Sequence, residues 1–289
     1  MNDRQQRIVD ASRQDKLNPW WWPLWQVARI LLVVPLIILL LAMLFEESLI
    51  FFPSKYPAGD WEPTGLPIED AEMQAPDGTK LHGWYVPHEQ PIAQVLFLHG
   101  NAGNITHRID VLQELHNIGA AVLILDYRGY GRSEGRPNEK GVLQDARAAR
   151  IWLAERAGVK PEEIVLLGNS LGGGVAVDLI TDVTPRGLIL ESTFTSLPDV
   201  AAVHYSFLPV RAMMDTRLNS VEKIKQYEGP LLQCHGTADE IVPFTLGEQL
   251  HTACPSENKQ FLKLEGAMHN DYRPREYFAA VRAFLQQLP

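Results

Sequence analysis

Cysteine is scarce. The 289-residue chain has only Cys234 and Cys254, which excludes a fold held by a disulfide framework. Cys234 ends an apolar run, so a buried free thiol is expected there, and a single Cys234–Cys254 bridge stays open. No cluster of cysteine and histidine has metal-ligand spacing, so no structural metal and no cofactor are expected. Basic residues are outnumbered, leaving a formal net charge of −9, and no basic stripe interrupts the chain. That balance argues against a nucleic-acid partner. Internal repeats and low-complexity segments are also missing. With 46% apolar and 21% charged residues, the chain has material for a sizeable core.

One long apolar run stands near the N-terminus. Residues 1–19 are polar and mixed in charge, and read as a cytoplasmic tail. Residues 20–45 then run from Trp20, Trp21, Trp22 and Trp25 into RILLVVPLIILLLAMLF. From Leu24 to Phe45 the only charge is Arg29, placed where its side chain can reach an interface. Those residues span roughly 33 Å at helical rise, enough for a bilayer core. The tryptophans suit an interfacial belt. No small residues close the run as a cleavage site would require, since Met43-Leu44-Phe45-Glu46 follows. Arg4, Arg7, Arg13, Lys16 and Arg29 precede or open the run, whereas the next twenty residues offer only Lys55. The expectation is a single-pass signal anchor in a lipid bilayer, N-terminus cytoplasmic and the remainder on the other side, periplasmic if the cell is bacterial. Residues 46–67, rich in proline, glycine and aromatics, read as an irregular neck.

From Ile68 onward the pattern becomes regular. Two half-buried strands joined at Asp77-Gly78 predict an antiparallel hairpin. Strands at 94–98, 121–125, 164–167, 187–190, 230–234 and 260–264 then alternate with helical segments. That order predicts an α/β domain over 68–289, with a mostly parallel sheet covered on both faces. In such a sheet the chemistry lies beyond the carboxyl ends of the strands.

The centre of this pattern is Gly168-Asn169-Ser170-Leu171-Gly172. It forms a G-x-S-x-G between an apolar strand and a small-residue helix. A turn this tight leaves little room for a Cβ at Gly168 or Gly172. It lifts the Ser170 hydroxyl above the sheet and aims the Leu171 N–H at the same space. A serine hydroxyl needs an imidazole to take its proton, and the imidazole needs a carboxylate to fix its tautomer. Among strand-end residues, His269 is the expected base and Asp239 the expected acid, with Glu240 and Asp271 read as loop charges. His99 and His235 precede glycines and read as turn residues that support the site, and His204 is a weaker candidate. The loop HGNAGN supplies the second oxyanion donor, the N–H of Asn101 with that of Ala102 in reserve. Lacking Gly-Lys-Ser/Thr, this loop does not read as a phosphate loop.

The pieces HGNAGN, DYRGYGRSEG, GNSLGG, LESTFTS, HGTADEIVP and EGAMHNDY, in that order, resemble the α/β-hydrolase superfamily. More narrowly, they resemble its membrane-anchored, abhydrolase-domain-containing, serine-aminopeptidase-like branch. The resemblance covers about residues 68–288. It implies a Ser170–Asp239–His269 triad with Asn101 and Leu171 as oxyanion donors. Met268 departs from the smaller residue expected before the histidine and narrows the site. Residues 194–220 occupy the place of a short cap, with Phe194, Tyr205 and Phe207, beside Met268, as candidate pocket residues. The expected chemistry is hydrolysis of an ester or thioester of a small-molecule or lipid-like acyl substrate. Two rivals stay open. One is a peptidase or amidase, with Glu191 as its amine-binding acid; the other is a membrane-tethered binding protein with an idle fold.

Overall fold

A computed structural model describes residues 21–289, so the tail and Trp20 lie outside the described residues. The chain divides into a unit ending at Glu46 and a body from Glu47 to Pro289. The first holds helix α1 (Trp22–Leu44), 23 residues with a mean hydropathy of 2.9, long and apolar enough to cross a membrane. Tryptophans open it and Pro35 lies within it.

The neck belongs to the body. After α2 (Glu46–Ile50) the chain forms isolated bridges, Pro53 with Gly103 and Lys55 with Gly131. Phe51 is buried at 3% exposure in the core, whereas its neighbour Phe52 faces outward. Burying one large aromatic and fixing the backbone through bridges ties this proline-rich segment down without regular structure.

The body is an eight-stranded sheet. Its strands are β1 (Glu69–Gln74), β2 (Lys80–Val86), β3 (Ala93–Leu98), β4 (Ala120–Asp126), β5 (Ile164–Asn169), β6 (Gly187–Glu191), β7 (Leu231–Gly236) and β8 (Lys259–Leu264). Their order is β1-β2-β4-β3-β5-β6-β7-β8. β1 and β2 pair antiparallel, as does β2 with β4; every pairing from β4 through to β8 is parallel. The expected hairpin closes at Gly78, whose φ of 88° lies in the left-handed region.

Strand alternation divides the core in two. Leu96, Leu98, Leu123, Leu125, Leu166 and Leu190 face one side. There they meet α4 (Glu139–Ala157), α5 (Leu171–Leu179) and α9 (Phe244–Ala253). Val95, Phe97, Val122, Ile124, Val165 and Ile189 face the other, against α3 (Ile109–Asn117) and α10 (Arg275–Gln287). Period-two alternation with apolar residues on both faces is what a sheet covered by helices requires. The cap region holds α6 (Leu197–His204) and α7 (Val210–Met213), followed by α8 (Ser220–Lys223). The cap closes on itself where Leu197 N–H donates to Arg217 O at 2.9 Å. The Glu139 carboxylate receives the N–H groups of Arg217 and Leu218.

Several strands run further than the sequence reading, among them β5, through Asn169, and β7. β7 runs through His235 and Gly236, whereas the sequence suggested a turn after Cys234. Parallel pairing of His235 with Lys263 and Gly236 with Leu264 carries the ladder two residues further. Both cysteines are free and buried.

Candidate active site

Four strand ends meet here. Because β3 and β5 are neighbours at the centre of the sheet, the loop after β3 and the turn after β5 open side by side. Ser170 sits in that turn at φ 52° and ψ −115°, a conformation that a non-glycine residue holds only when its surroundings impose it. The surroundings are tight. A Cβ on Gly168 would lie 2.5 Å from Gly172 O, and one on Gly172 would lie 1.9 Å from Leu98 O. The elbow is fastened below by Ser170 N–H to Glu191 O at 2.8 Å. On its flank the Thr193 hydroxyl donates to Ser170 O at 2.9 Å.

The structure brings Ser170, His269 and Asp239 together. Ser170 Oγ lies 3.0 Å from His269 Nε2, and His269 Nδ1 lies 2.7 Å from Asp239 Oδ2. A carboxylate only accepts, so Nδ1 carries the proton and Nε2 is left to accept from the serine hydroxyl. Asp239 Oδ1 receives the N–H groups of Ile241 at 3.0 Å and Val242 at 2.8 Å. Burial alone would raise this carboxyl. Contacts from His235 and His269 and the Val242 N–H outweigh it and hold Asp239 well below the usual carboxylate range.

His235 fixes the acid from behind. Its Nε2 donates to Val242 O at 2.9 Å and lies 3.4 Å from Asp239 Oδ2. Its Nδ1 is packed where a Cβ on Gly247 would stand 2.2 Å away. Two acceptors facing one nitrogen place a proton on Nε2. His235 thus lies beside Asp239, in a strand rather than in the expected turn. The loop bearing His269 is pinned by Ala238 N–H to Ala267 O and by Met268 N–H to the Asp271 carboxylate at 2.8 Å. Asp271 thus shapes the loop, and His204 lies apart, bonded to Ile241 O.

The loop after β3 lies against Ser170. A Cβ on Gly100 would come 3.4 Å from Ser170 Cβ. Leu171 opens α5, so its N–H has no intrahelical acceptor. The Asn101 side chain is occupied elsewhere: Oδ1 accepts from Phe52 N–H at 3.1 Å and from Tyr130 O–H at 2.9 Å. Its Nδ2 donates to Ile50 O. Beneath the loop, His99 Nδ1 donates to Gly100 O, leaving Nε2 without a partner and 3.9 Å from Asp126 Oδ1. Burial lowers His99 to about 3 and pushes Asp126 up to about 7.

The candidate pocket residues separate. Phe194 is buried and packs where a Cβ on Gly174 of α5 would meet its ring at 3.2 Å. Tyr205, Met268 and Phe207 are exposed, Phe207 at 80%. Glu191, the acid weighed for an amine, is buried and forms an ion pair with Arg273 at 2.7 Å. The Tyr277 hydroxyl lies 3.4 Å from it. The sequence reading missed Arg273, four residues beyond His269, because nothing local marks a loop arginine as the partner of a strand end. Among the described residues, no group of three or more His, Cys, Asp or Glu could hold a metal.

Residues 89–209 match the family described as serine aminopeptidase, S33. The chain is 40% identical over 250 residues to an uncharacterized protein of Mycobacterium tuberculosis, covering 84% of this chain and 88% of that one. It is 32% identical over 257 residues to the α/β hydrolase domain-containing protein WAV2 of Arabidopsis thaliana, covering 80% and 83%. With the lysophosphatidylserine lipase ABHD12 of Danio rerio it shares 36% identity over 216 residues, spanning 68% of this chain but only 53% of that protein. A Pyrococcus furiosus esterase superposes with a TM-score of 0.68 at 23% identity, over 82% of this chain and 99% of that one, a likeness of fold.

Proposed function

The chain belongs to the α/β-hydrolase superfamily, and from that premise we propose a membrane-anchored serine hydrolase that cleaves an ester or thioester of a lipid-like or other acyl substrate. The single observation that carries this is the chain of contacts Ser170 Oγ–His269–Asp239 at 3.0 and 2.7 Å. His269 Nε2 takes the Ser170 proton as Oγ adds to the substrate carbonyl carbon. The N–H groups of Leu171 and Asn101 receive the developing oxyanion, aided by the positive end of α5. His269 then returns the proton to the leaving oxygen or sulfur as that bond breaks, leaving acyl-Ser170. A water repeats the sequence, delivering its proton through His269 and freeing the acid. Asp239 stays ionised and holds the imidazole through both halves. No cofactor takes part.

An exposed apolar rim of Val203, Tyr205, Phe207, Ile241 and Met268 supports an acyl substrate. So does the likeness to the Danio rerio protein, a lysophosphatidylserine lipase. Helix α1 supports attachment to a bilayer, with the body on the non-cytoplasmic side by the charge bias. The acid weighed for holding an amine, Glu191, is already paired with Arg273.

The test is labelling of detergent-solubilised protein with a fluorophosphonate beside Ser170→Ala and His269→Ala. Labelling of the parent alone is expected, followed by turnover of p-nitrophenyl esters. A folded parent that stays unlabelled overturns the proposal and leaves a binding protein.

A further inference from the structure

Glu191, the last residue of β6, is attached twice. Its carbonyl accepts Ser170 N–H at 2.8 Å, so its backbone fixes the turn that carries Ser170. Its carboxylate pairs with Arg273, Oε1 lying 2.7 Å from Nε. In the sheet β7 runs between β6 and β8, so Arg273, beyond β8, reaches across the strand that leads to Asp239. The ring of contacts closes at the site itself, where His269 Nε2 lies 3.0 Å from Ser170 Oγ.

The segment around His269 lies at the surface, with Met268, Asn270, Asp271 and Tyr272 exposed. Segments of this kind open locally at low cost. Just before the histidine, Ala267 O accepts Ala238 N–H at 3.1 Å. Beyond it Arg273 is drawn inward: its side chain is 16% exposed and that of Glu191 9%. The guanidinium stands 5.9 Å from the Tyr277 ring, and the Tyr277 hydroxyl donates to Glu191 Oε2 at 3.4 Å. Burial opposes the charge on Arg273, but Glu191 outweighs it and holds the guanidinium above its ordinary range. A buried ion pair adds little stability over an apolar pair of similar volume. What it adds is a directed contact of fixed length.

We propose that Arg273 and Glu191 are positioning residues that hold the His269 segment at the distance from Ser170 that proton transfer requires. Arg273 ties the segment beyond the histidine to the end of β6, and the Glu191 carbonyl ties Ser170 to that same end. Imidazole and hydroxyl are thus both set from one residue. Releasing the tie lets His269 stray while Ser170 and the Leu171 N–H stay in place. A misplacement of about 1 Å costs on the order of 100-fold in rate. The inference rests on the hydrolase reading above, and one arm of its test needs no turnover.

The full chain in detergent is assayed on the ethyl and the p-nitrophenyl ester of one fatty acid. p-Nitrophenolate departs without a proton, whereas ethoxide needs one from His269, so the ethyl ester reads the imidazole's position more strongly. The double variant Arg273→Met with Glu191→Gln leaves no buried charge unpaired, and its melting temperature should stay near the parent's. Its ratio of kcat/KM, ethyl over p-nitrophenyl, should nonetheless fall at least about tenfold, as in Arg273→Met alone. Arg273→Lys, which keeps the charge, should recover part of that ratio. An unchanged ratio in the folded double variant overturns the proposal. So does a loss in Arg273→Met that the double variant repairs along with stability, since the pair would then serve the fold alone. The second arm is amide hydrogen exchange. Residues 268–272 should exchange at least about tenfold faster in Arg273→Met than in the parent, with Leu171 unchanged. Equal exchange overturns the tie; should Arg273→Met not fold, the double variant carries both arms. A parent that turns over neither ester sinks the hydrolase reading, and exchange alone then decides whether Arg273 holds the segment.

Discussion

Asn101 Oδ1 accepts the backbone N–H of Phe52 at 3.1 Å, which ties the neck to the loop beside Ser170. The same oxygen takes the Tyr130 hydroxyl, and the amide nitrogen donates to Ile50 O. Gly103 N–H and Phe52 O close the seam at 3.2 Å, and Ser54 N–H reaches Gly103 O at 2.9 Å. One asparagine thus has its side chain on the neck and its N–H on the proposed oxyanion side.

Asn101→Ala should therefore act twice. It strands the Phe52 N–H and the Ile50 carbonyl, a cost of about 1–3 kcal/mol in stability. It should also lower kcat by about tenfold with little change in KM, because the loop N–H loses its support while the substrate contacts remain. Urea unfolding and steady-state kinetics read the two effects. A stability loss with unchanged kcat would separate the neck from the chemistry.

Asp239→Asn should keep the fold and lose kcat on the order of 10³–10⁴-fold. The amide can turn its N–H toward His269 and favour the tautomer that cannot accept from Ser170. Fluorophosphonate labelling rates give the comparison, with circular dichroism to verify folding.

Asp126 makes a pH signature. Its folded value of about 7 stands above the unfolded value of about 3.9. The folded state prefers the protonated acid, so this contribution is fully present below about pH 4 and is lost as pH rises through 7. Asp126→Asn stays neutral throughout. The melting-temperature difference, parent minus variant, should decline between pH 4 and pH 8, by an amount equivalent to up to ~4 kcal/mol. A flat difference would mean that the carboxyl near His99, Arg108 and Arg132 titrates as it does in water.

Two glycines offer a contrast. Gly158, at the end of α4, has φ 67° and nothing within 4 Å of an added Cβ, so Gly158→Ala meets only backbone strain of about 1–2 kcal/mol. In Gly172→Ala the methyl would lie 1.9 Å from Leu98 O and 2.5 Å from Leu98 C, both backbone. β3 and α5 would have to part, with a loss of more than about 3 kcal/mol and of probe labelling. Thermal melts of the two variants give the comparison.

Much of this was legible in the chain. The apolar run of 20–45, the β–α alternation and the glycines about Ser170 are local patterns, because strand period, helix length and turn sterics act over a few residues. Those patterns alone led to Ser170, His269 and Asp239 as strand-end groups. Other features were not visible in this way. Tyr205 and Phe207 are as apolar as Phe194, yet only Phe194 is buried against α5, since burial depends on what the fold lays across a residue.

The sequence by itself determined which residues could do chemistry and in what kind of sheet, because residue type and short-range spacing encode the elbow and the alternation. Only the tertiary structure decided their partners. Arg128 meets Asp145 and Asp77, Arg273 meets Glu191, and Asn101 meets Phe52, across separations no local pattern spans. The strand order β4-β3-β5 sets the loop after β3 beside Ser170. Arg273 lies beyond β8 and Glu191 ends β6, with β7 between them in the sheet, so their pairing depends on how the last loop folds across the strand ends.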